Sequence, residues 1–417
     1  MHHFQLKQGS LWAEDIQVQE LVQEFGTPLY IYSSATLQRH FQAFDSAFEQ
    51  IPHLTCFSAK CNSNLSILQL LHNQGAGADI VSAGELYRCL CAGMDPKKIV
   101  FSGVGKQAFE LEQALEADIL MFNVESGQEL ELLNRVAQDK GQKAWISLRI
   151  NPNVDPRTHP YISTGLQKNK FGIPMDEALE LYKKTKDMPW VEAVGIDCHI
   201  GSQLTEVSPF LEALQRLLDL YMQLNELGLK IRYLDLGGGL GIPYAEEDPP
   251  HPKELGEVLS QALQGYQDLT LILEPGRVIA GNAGILITKT LFTKQSPLKR
   301  FVVVDAAMND LVRPSLYGAY HRIAEVVPQG REEQQVDVVG PICETGDFLA
   351  QDRSLPGIER GELLAVFSAG AYAFSMASQY NSRPRPAEVL VQGDQARLIR
   401  ARESYQDLVA LETQHLA

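Results

Sequence analysis

Lys60 has the chemistry of a covalent catalyst. It directly follows the apolar run 55–59, which has the length and composition of a buried strand. A lysine that projects from a strand end into the mouth of a barrel can form a Schiff base with a carbonyl compound. An isolated lysine is more often a surface cation, so this interpretation depends on which other groups lie beside it.

Three consecutive glycines, 237–239, follow another apolar run. Without Cβ atoms, their backbone N–H groups can close around an anion such as phosphate. The dinucleotide pattern G-x-G-x-x-G fails here, because Ile242 occupies the position of its last glycine. A flexible turn is the alternative, but a position after the seventh predicted strand favours phosphate.

Glu274 is the last residue of the eighth apolar run, and Arg277 lies three residues further on. A carboxylate at this point can keep a ring nitrogen protonated, which makes the ring an electron sink. The arginine can pair with phosphate or carboxylate through two parallel hydrogen bonds. A surface ion pair is the alternative. His199, after the sixth run, could stack on a flat ring or could be an ordinary core residue.

Eight short β-rich runs position these residues. They are residues 55–59, 78–81, 99–102, 119–124, 144–150, 194–199, 233–236 and 270–274. Amphipathic stretches separate them, and such alternation predicts parallel strands joined by helical crossovers. We therefore expect an α/β fold built on a closed (β/α)8 TIM barrel, with a doubly wound open sheet as the alternative.

The polar residues favour the barrel, because chemistry-bearing side chains follow nearly every run. Lys60, Ser82, Asn151, His199 and Glu274 come directly after, or at the end of, five different runs. Barrel enzymes draw their sites from the carboxyl ends of many strands, whereas an open sheet concentrates its site at one switch point.

The predicted pattern of secondary structure changes near residue 280, which indicates a second domain. Strand-like runs follow one another with little helix between them, so residues 281–417 are expected to form an all-β sandwich or barrel-like domain. Residues 1–26 are expected to complete it, and residues 27–280 to form the barrel. The stretch 151–174 has no clear period, which is typical of a functional cover or a disordered segment.

Composition excludes several classes of protein. The 417 residues carry 36 Lys+Arg against 52 Asp+Glu, a formal net charge of −16, which argues against nucleic-acid or membrane-surface binding. No apolar run reaches the ~18 residues that span a bilayer, and the first residues lack a signal-peptide pattern. The six cysteines form no CxxC pair, so we expect reduced thiols in the cytoplasm, with no metal site.

Taken together, the motifs resemble the alanine-racemase-type (fold type III) decarboxylases that depend on pyridoxal 5'-phosphate (PLP). Within that group the chain is most similar to the enzymes that act on diaminopimelate. The matching stretches are residues 57–62, 79–86, 170–173, 199–203, 235–241, 308–317, 340–347 and 370–372. Each stretch is moderately specific, and eight in order are specific to the family.

The resemblance implies a role for each matching residue. Lys60 would carry PLP as a Schiff base, Glu274 would face the pyridine nitrogen, and Cys343 would donate the proton that replaces carbon dioxide. Further cofactor contacts would come from His199, Ser202, Gly238, Gly239, Gly276, Arg277 and Tyr372. Substrate contacts would come from Arg277, Arg313, Tyr317, Glu344 and Tyr372.

The resemblance also implies the reaction and the assembly. The expected activity is decarboxylation of meso-2,6-diaminopimelate to L-lysine and carbon dioxide, the last step of lysine biosynthesis. A distal carboxylate needs a cation, which Arg313 with Tyr317 offers, while Glu344 suits the distal ammonium. Because Cys343 and Glu344 reach the other subunit's pocket in this family, a homodimer with shared active sites is implied.

Three alternatives stay open at this point. One is a related PLP decarboxylase acting on ornithine, lysine, arginine or carboxynorspermidine. The second is a racemase, which breaks the Cα–H bond instead of the bond to the carboxylate. The third is a non-catalytic PLP-binding protein, but such proteins are bare barrels, and the predicted β domain argues against it.

Overall fold

The computed structural model describes residues 2–155 and 170–416. These residues form two compact units. The first unit lies within residues 1–39, 243–246 and 279–417, and the second lies within residues 40–242 and 247–278. The boundaries that we expected from the sequence, 27–280 and 281–417, stay a prediction, as does the contribution of residues 1–26.

The N-terminal region contains four strands and two helices. They are Phe4–Lys7 (β1), Ser10–Ala13 (β2), Ile16–Gln17 (β3), Val18–Phe25 (α1), Leu29–Ser33 (β4) and Ser34–Asp45 (α2).

The middle of the chain alternates strands with helices. The elements are His53–Ser58 (β5), Leu65–His72 (α3), Gly77–Ile80 (β6), Ala83–Cys91 (α4), Ile99–Phe101 (β7), Ala108–Glu116 (α5), Met121–Val124 (β8), Gly127–Lys140 (α6), Ala144–Asn151 (β9), Ile173–Pro174 (β10), Met175–Thr185 (α7), Val191–Cys198 (β11), Ser208–Glu226 (α8), Tyr233–Asp235 (β12), Pro252–Ala262 (α9), Thr270–Leu273 (β13) and Arg277–Ala280 (α10).

The remainder of the chain is mostly strand. The elements are Gly284–Gln295 (β14), Arg300–Val304 (β15), Arg313–Tyr317 (α11), Ile323–Glu325 (β16), Glu333–Val339 (β17), Phe348–Pro356 (β18), Leu363–Val366 (β19), Ala387–Gln392 (β20), Gln395–Arg400 (β21) and Tyr405–Val409 (α12).

Eight parallel strands close into a barrel in the second unit. The order runs β9-β11-β12-β13-β5-β6-β7-β8, and β8 pairs back to β9, so that the sheet has no free edge. The predicted TIM barrel is therefore confirmed. The eight apolar runs correspond to these strands, and the short strand β10 adds a ninth neighbour beside β9.

Serine and asparagine side chains start several of the crossover helices. The Ser82 side chain accepts the N–H of Glu85 at the start of α4, and Ser126 does the same for Glu129 at the start of α6. These caps satisfy backbone donors that the first helical turn leaves unpaired. Ser82, which follows the second predicted strand, is thus a helix cap.

The first unit is built on β-sheet, as the sequence predicts for the C-terminal region. Its large sheet has the order β18-β17-β15-β14-β4-β20-β21, with β19 and β16 paired beside β14. Strands β1, β2 and β3 form a separate three-stranded sheet. Phe4, Leu11 and Val18 are buried in one core with Ile285 and Val389, so the two sheets share a hydrophobic layer.

The predicted cover segment lies partly outside the described residues. Residues 156–169 are not described, whereas the returning chain is held at Gly172, whose N–H donates to Glu125 Oε2 at 3.0 Å. Arg149 Nη1 donates to the other oxygen of Glu125 at 2.7 Å. This buried pair fixes the chain where it rejoins the barrel at β10.

Candidate active site

Lys60 lies in a short 3₁₀ turn directly after β5. Its Nζ donates to Asp79 Oδ2 at 2.5 Å, and the Ser58 hydroxyl donates to the same oxygen at 2.7 Å. The Asp79 side chain is fully buried, whereas the Lys60 side chain is 33% exposed. The amine is therefore anchored on a buried carboxyl group and is still reachable from solvent, as a nucleophilic lysine must be.

The glycine run brings three loops of the barrel into close contact. Gly237 and Gly239 have φ values of +67° and +125°, which favour glycine. A Cβ atom on Gly238 would overlap the carbonyl oxygen of Glu274, and one on Gly239 would overlap that of Gly201. The loops after β11, β12 and β13 thus approach each other more closely than larger residues would permit.

His199 follows β11 and holds the glycine run through its ring. Its Nδ1 accepts the N–H of Gly238 at 3.1 Å. Burial, together with the positive charges of Arg149 and Lys60, lowers the pKa of His199 well below its usual range. The ring is therefore neutral at physiological pH, which suits stacking on a flat ligand.

A buried arginine and a hydroxyl form an anion-binding pair beside this run. Arg277 is 5% exposed, and its Nη2 donates to Ser202 Oγ at 3.1 Å. The backbone N–H groups of Gly239 and Gly276 take part in none of the described hydrogen bonds. Gly276 is buried and Gly239 is half-buried. Backbone N–H groups of this kind can donate to the oxygens of a phosphate group.

Glu274 lies at the end of β13 and is 4% exposed. Burial and the nearby carboxyl groups of Asp235 and Asp79 raise its pKa well above the usual range, against the opposing charges of Lys60 and Arg149. Its protonated form is therefore favoured relative to that of an exposed carboxyl group. A buried acid of this kind can supply a proton to a basic ring nitrogen.

The barrel unit therefore fits PLP by the chemistry of its donors. An amine at a strand end suits an aldehyde, an arginine near the glycine run suits a phosphate, and a buried acid suits a ring nitrogen. All eight barrel residues that the sequence singled out follow strands β5, β11, β12 and β13. They are Lys60, His199, Ser202, Gly238, Gly239, Glu274, Gly276 and Arg277.

The other five predicted residues belong to the first unit. Arg313 opens helix α11 and is 7% exposed. Its Nε lies 3.4 Å from His321 Nε2, and its guanidinium carbon lies 5.3 Å from the Tyr244 ring centroid and 5.8 Å from that of Tyr317. A guanidinium held by aromatic rings and a histidine has a fixed direction, which suits recognition of a carboxylate.

Cys343 and Glu344 lie on an exposed turn of the same unit. The Cys343 N–H donates to Asn381 Oδ1 at 3.0 Å, and the Tyr380 hydroxyl donates to Glu344 Oε2 at 2.6 Å. Tyr372 has a φ of +55°. This left-handed conformation is uncommon and costly for a bulky side chain.

Sequence reasoning missed several side chains that hold the predicted ones. Asp79 anchors Lys60, Asn123 contacts Glu274, His321 contacts Arg313, and Tyr380 contacts Glu344. For Asp79 and Asn123 a signal was present, since each is a polar residue inside an apolar run. For the other two, only the fold could bring the partners together.

Two properties of the described residues bear on other functions. Among the helices in that part of the chain, none has both the length and the apolar character needed to span a membrane. The same residues contain no group of three or more His, Cys, Asp or Glu side chains arranged to hold a metal ion. None of the six cysteines, all of which lie in the described part of the chain, forms a disulfide.

Comparison with known proteins places the chain in one family. Residues 34–281 match the family model described as pyridoxal-dependent decarboxylase, pyridoxal binding domain. The chain is 53% identical to the diaminopimelate decarboxylase of Vibrio cholerae over 405 residues, which are 97% of each chain.

Two solved structures are also similar. The diaminopimelate decarboxylase of Helicobacter pylori, complexed with L-lysine, superposes with a TM-score of 0.92 at 47% identity, over 95% of this chain and 100% of that one. The M. jannaschii enzyme in co-complex with L-lysine gives 0.94 at 40% identity, over 99% of each chain. The chain therefore belongs to the pyridoxal-dependent decarboxylases and, within them, to the diaminopimelate decarboxylase family.

Proposed function

We propose that the protein decarboxylates meso-2,6-diaminopimelate to L-lysine and carbon dioxide, the last step of lysine biosynthesis. The observation that carries the proposal is the similarity over the full length to diaminopimelate decarboxylases, at 53% identity for the Vibrio cholerae enzyme. The Helicobacter pylori relative holds L-lysine, the product of the proposed reaction.

The residues of the barrel unit bind and orient the cofactor in this proposal. Lys60 holds PLP covalently through Nζ, and His199 stacks on its ring. Ser202 and Arg277 bind the phosphate together with the backbone at Gly238, Gly239 and Gly276. When bound, PLP withdraws electrons from the carbon that loses carbon dioxide. Glu274 holds the proton that faces the ring nitrogen, and its high pKa supports this role.

The residues of the first unit bind the substrate and supply the proton that replaces carbon dioxide. Arg313 and Tyr317 bind the distal carboxylate, Glu344 binds the distal ammonium, and Tyr372 contacts both cofactor and substrate. The fixed guanidinium of Arg313 supports the first of these roles. The Cys343 thiol donates a proton to the carbon from which carbon dioxide has left, as a general acid.

We also propose a homodimer with shared active sites. Cys343 and Glu344 are exposed in the single chain, as expected for residues that act in a partner's pocket. Apolar side chains on the barrel are exposed as well, among them Tyr87 on α4 and Phe109 on α5, at 71% and 50%. Exposed aromatic side chains of this size are typical of subunit interfaces. A reducing cytoplasm is the proposed location, supported by six described cysteines that form no disulfide.

A substrate panel tests the reaction. Purified enzyme with added PLP is incubated with meso-diaminopimelate, L-lysine, L-ornithine, L-arginine and carboxynorspermidine, and released carbon dioxide is measured for each. We expect release from diaminopimelate with equimolar L-lysine. Release from another compound instead would identify a related decarboxylase. Inversion at Cα without release, seen as loss of optical activity of an L-amino acid or as conversion of the meso isomer, would identify a racemase. The absence of a reaction with every compound would indicate a non-catalytic PLP-binding protein.

Mixed dimers test the shared sites. Lys60→Ala and Cys343→Ala are each inactive in the proposal, because each removes one essential group from both sites. If each site takes Lys60 from one subunit and Cys343 from the other, random mixing restores about a quarter of the wild-type activity. An inactive mixture that has exchanged subunits would contradict shared sites.

A further inference from the structure

Asn123 lies at the centre of a buried polar network inside the barrel. It belongs to β8 and is completely buried. Its Nδ2 lies 3.1 Å from Ser102 Oγ, 3.1 Å from Asp235 Oδ2 and 3.4 Å from Glu274 Oε1. These acceptors follow or end three other strands, β7, β12 and β13. One amide group thus joins side chains from four strands of the barrel.

The direction of this amide is fixed from its other side. The buried Ser147 hydroxyl on β9 donates to Asn123 Oδ1 at 2.6 Å. Because the carbonyl oxygen accepts this hydrogen bond, the NH2 group must point toward the carboxyl groups. Reversing the amide would bring its oxygen against Asp235 and Glu274 and leave the carboxyl oxygens without their donor.

Ser102 completes the support of Glu274. Its hydroxyl accepts from Asn123 Nδ2 and lies 3.3 Å from Glu274 Oε1, to which it donates. Both described hydrogen bonds to the Glu274 carboxyl group therefore end on Oε1. None of the described hydrogen bonds engages Oε2, which is the oxygen that is left for a ligand.

We propose that Asn123 and Ser102 are positioning residues that hold Glu274 by Oε1 and so direct Oε2 at the ring nitrogen of PLP. The inference rests on the proposed role of Glu274 and adds the two residues that would aim it. Neither residue needs to touch the cofactor or the substrate. Their effect is exerted through the orientation and charge of one carboxyl group.

The charges around Glu274 explain why neutral donors are needed there. The carboxyl groups of Asp235, Asp79 and Asp197 face it, together with the cations Lys60 and Arg149. When Glu274 gives its proton to the ring nitrogen, it becomes a buried anion beside these acids. Hydrogen bonds from Asn123 and Ser102 stabilise that anion, and Asn123 also bridges it to Asp235 without adding a charge.

Two variants remove the donors separately. Asn123→Leu keeps the branched shape of the side chain but removes its N–H groups. Ser102→Ala removes only one oxygen atom, so this variant remains informative if Asn123→Leu fails to fold. Tyr182→Phe is the matched control. The Tyr182 hydroxyl is buried in the same barrel and donates to the carbonyl oxygen of Gly195 at 2.7 Å, and its only other described hydrogen bond, with the N–H of Leu148, does not reach Glu274.

The primary readout is the protonation of the cofactor itself. Each protein is loaded with PLP that carries 15N in its ring, and the 15N resonance is recorded between about pH 6 and about pH 9. We expect a protonated nitrogen in the wild type and in Tyr182→Phe, and an unprotonated fraction that grows with pH in both test variants. Because a hydrogen bond to a charged group is lost, kcat falls about tenfold with little change in KM.

The outcomes separate this inference from the proposed function. Variants that bind PLP and keep the wild-type resonance would overturn the inference, whatever their activity. An unprotonated nitrogen in the wild type would overturn the role of Glu274 and the inference with it. Equal shifts of the 15N resonance in the two test variants and in Tyr182→Phe would mean that any loss of barrel stability moves the resonance. That result would also overturn the inference.

Discussion

Replacing Arg313 tests how the substrate's distal carboxylate is recognised. Arg313→Leu keeps a side chain of similar packing character but removes the guanidinium. If Arg313 binds the carboxylate, the variant loses a charge-assisted hydrogen bond worth about 1.5–3 kcal/mol. Since 1.4 kcal/mol is a factor of ten, kcat/KM for diaminopimelate should fall between about tenfold and about 150-fold.

The surroundings of Arg313 indicate whether the fall in kcat/KM should appear in KM or in kcat. The guanidinium is fixed by His321 and lies beside the Tyr244 and Tyr317 rings, all within the first unit. It is therefore oriented before substrate arrives, and its removal should weaken substrate binding more than the chemical step. We expect most of the effect in KM, with PLP content unchanged because Lys60 and the proposed phosphate-binding residues belong to the barrel unit.

The assay is initial-rate carbon dioxide release over a range of diaminopimelate concentrations, with the visible absorbance of bound PLP recorded in parallel. Arg322→Gln is the matched control, because this arginine is exposed and packs on Phe367. A KM within about twofold of wild type for Arg313→Leu would refute the assignment. Loss of PLP from the variant would show instead that Arg313 supports the cofactor site.

Three further predictions concern other groups. Tyr380→Phe removes the hydroxyl that donates to Glu344 at 2.6 Å, so KM for diaminopimelate should rise about threefold to tenfold; an unchanged KM would mean that Glu344 needs no such support. Cys343→Ala should lower kcat more than tenfold with PLP binding intact, since it removes the proton donor; full activity would exclude that role. Burial and the charge of Asp197 raise the pKa of Asp235 to about 8, so the folded state binds this proton more tightly than the unfolded state. The contribution of Asp235 to the stability of the PLP-free protein should therefore fall by about 1.4 kcal/mol per pH unit between about pH 4 and about pH 8. Urea unfolding across that range should show a smaller fall in Asp235→Asn, and an equal fall would contradict the assignment.

The barrel could be predicted from the sequence because its strands are buried on both faces. Such strands are continuous apolar runs, and the crossover helices between them alternate apolar and polar residues with a helical period. The run 270–274 shows this well: it becomes β13 and ends on Glu274. Strand ends in a closed barrel share one face, so residues far apart in the chain could be assigned to a single site.

The supporting side chains could not be predicted, because their partners are set by distances across the barrel. Asn123 sits inside an apolar run, and nothing local indicates that it meets Asp235, which is 112 residues away. His321 and Arg313 are eight residues apart, yet they meet only because α11 ends in a left-handed glycine, Gly318, that turns the chain. Periodicity reports which face a residue occupies, and it does not report which residue lies opposite.

The proposed reaction depends most directly on a covalent bond between Lys60 and the cofactor. The PLP-loaded enzyme is reduced with borohydride, digested, and mapped by mass spectrometry. We predict that the reduced pyridoxyl label is found on the peptide that contains Lys60, and that Lys60→Ala carries no label. A label on another lysine, or no label on a fully active enzyme, would contradict the central claim.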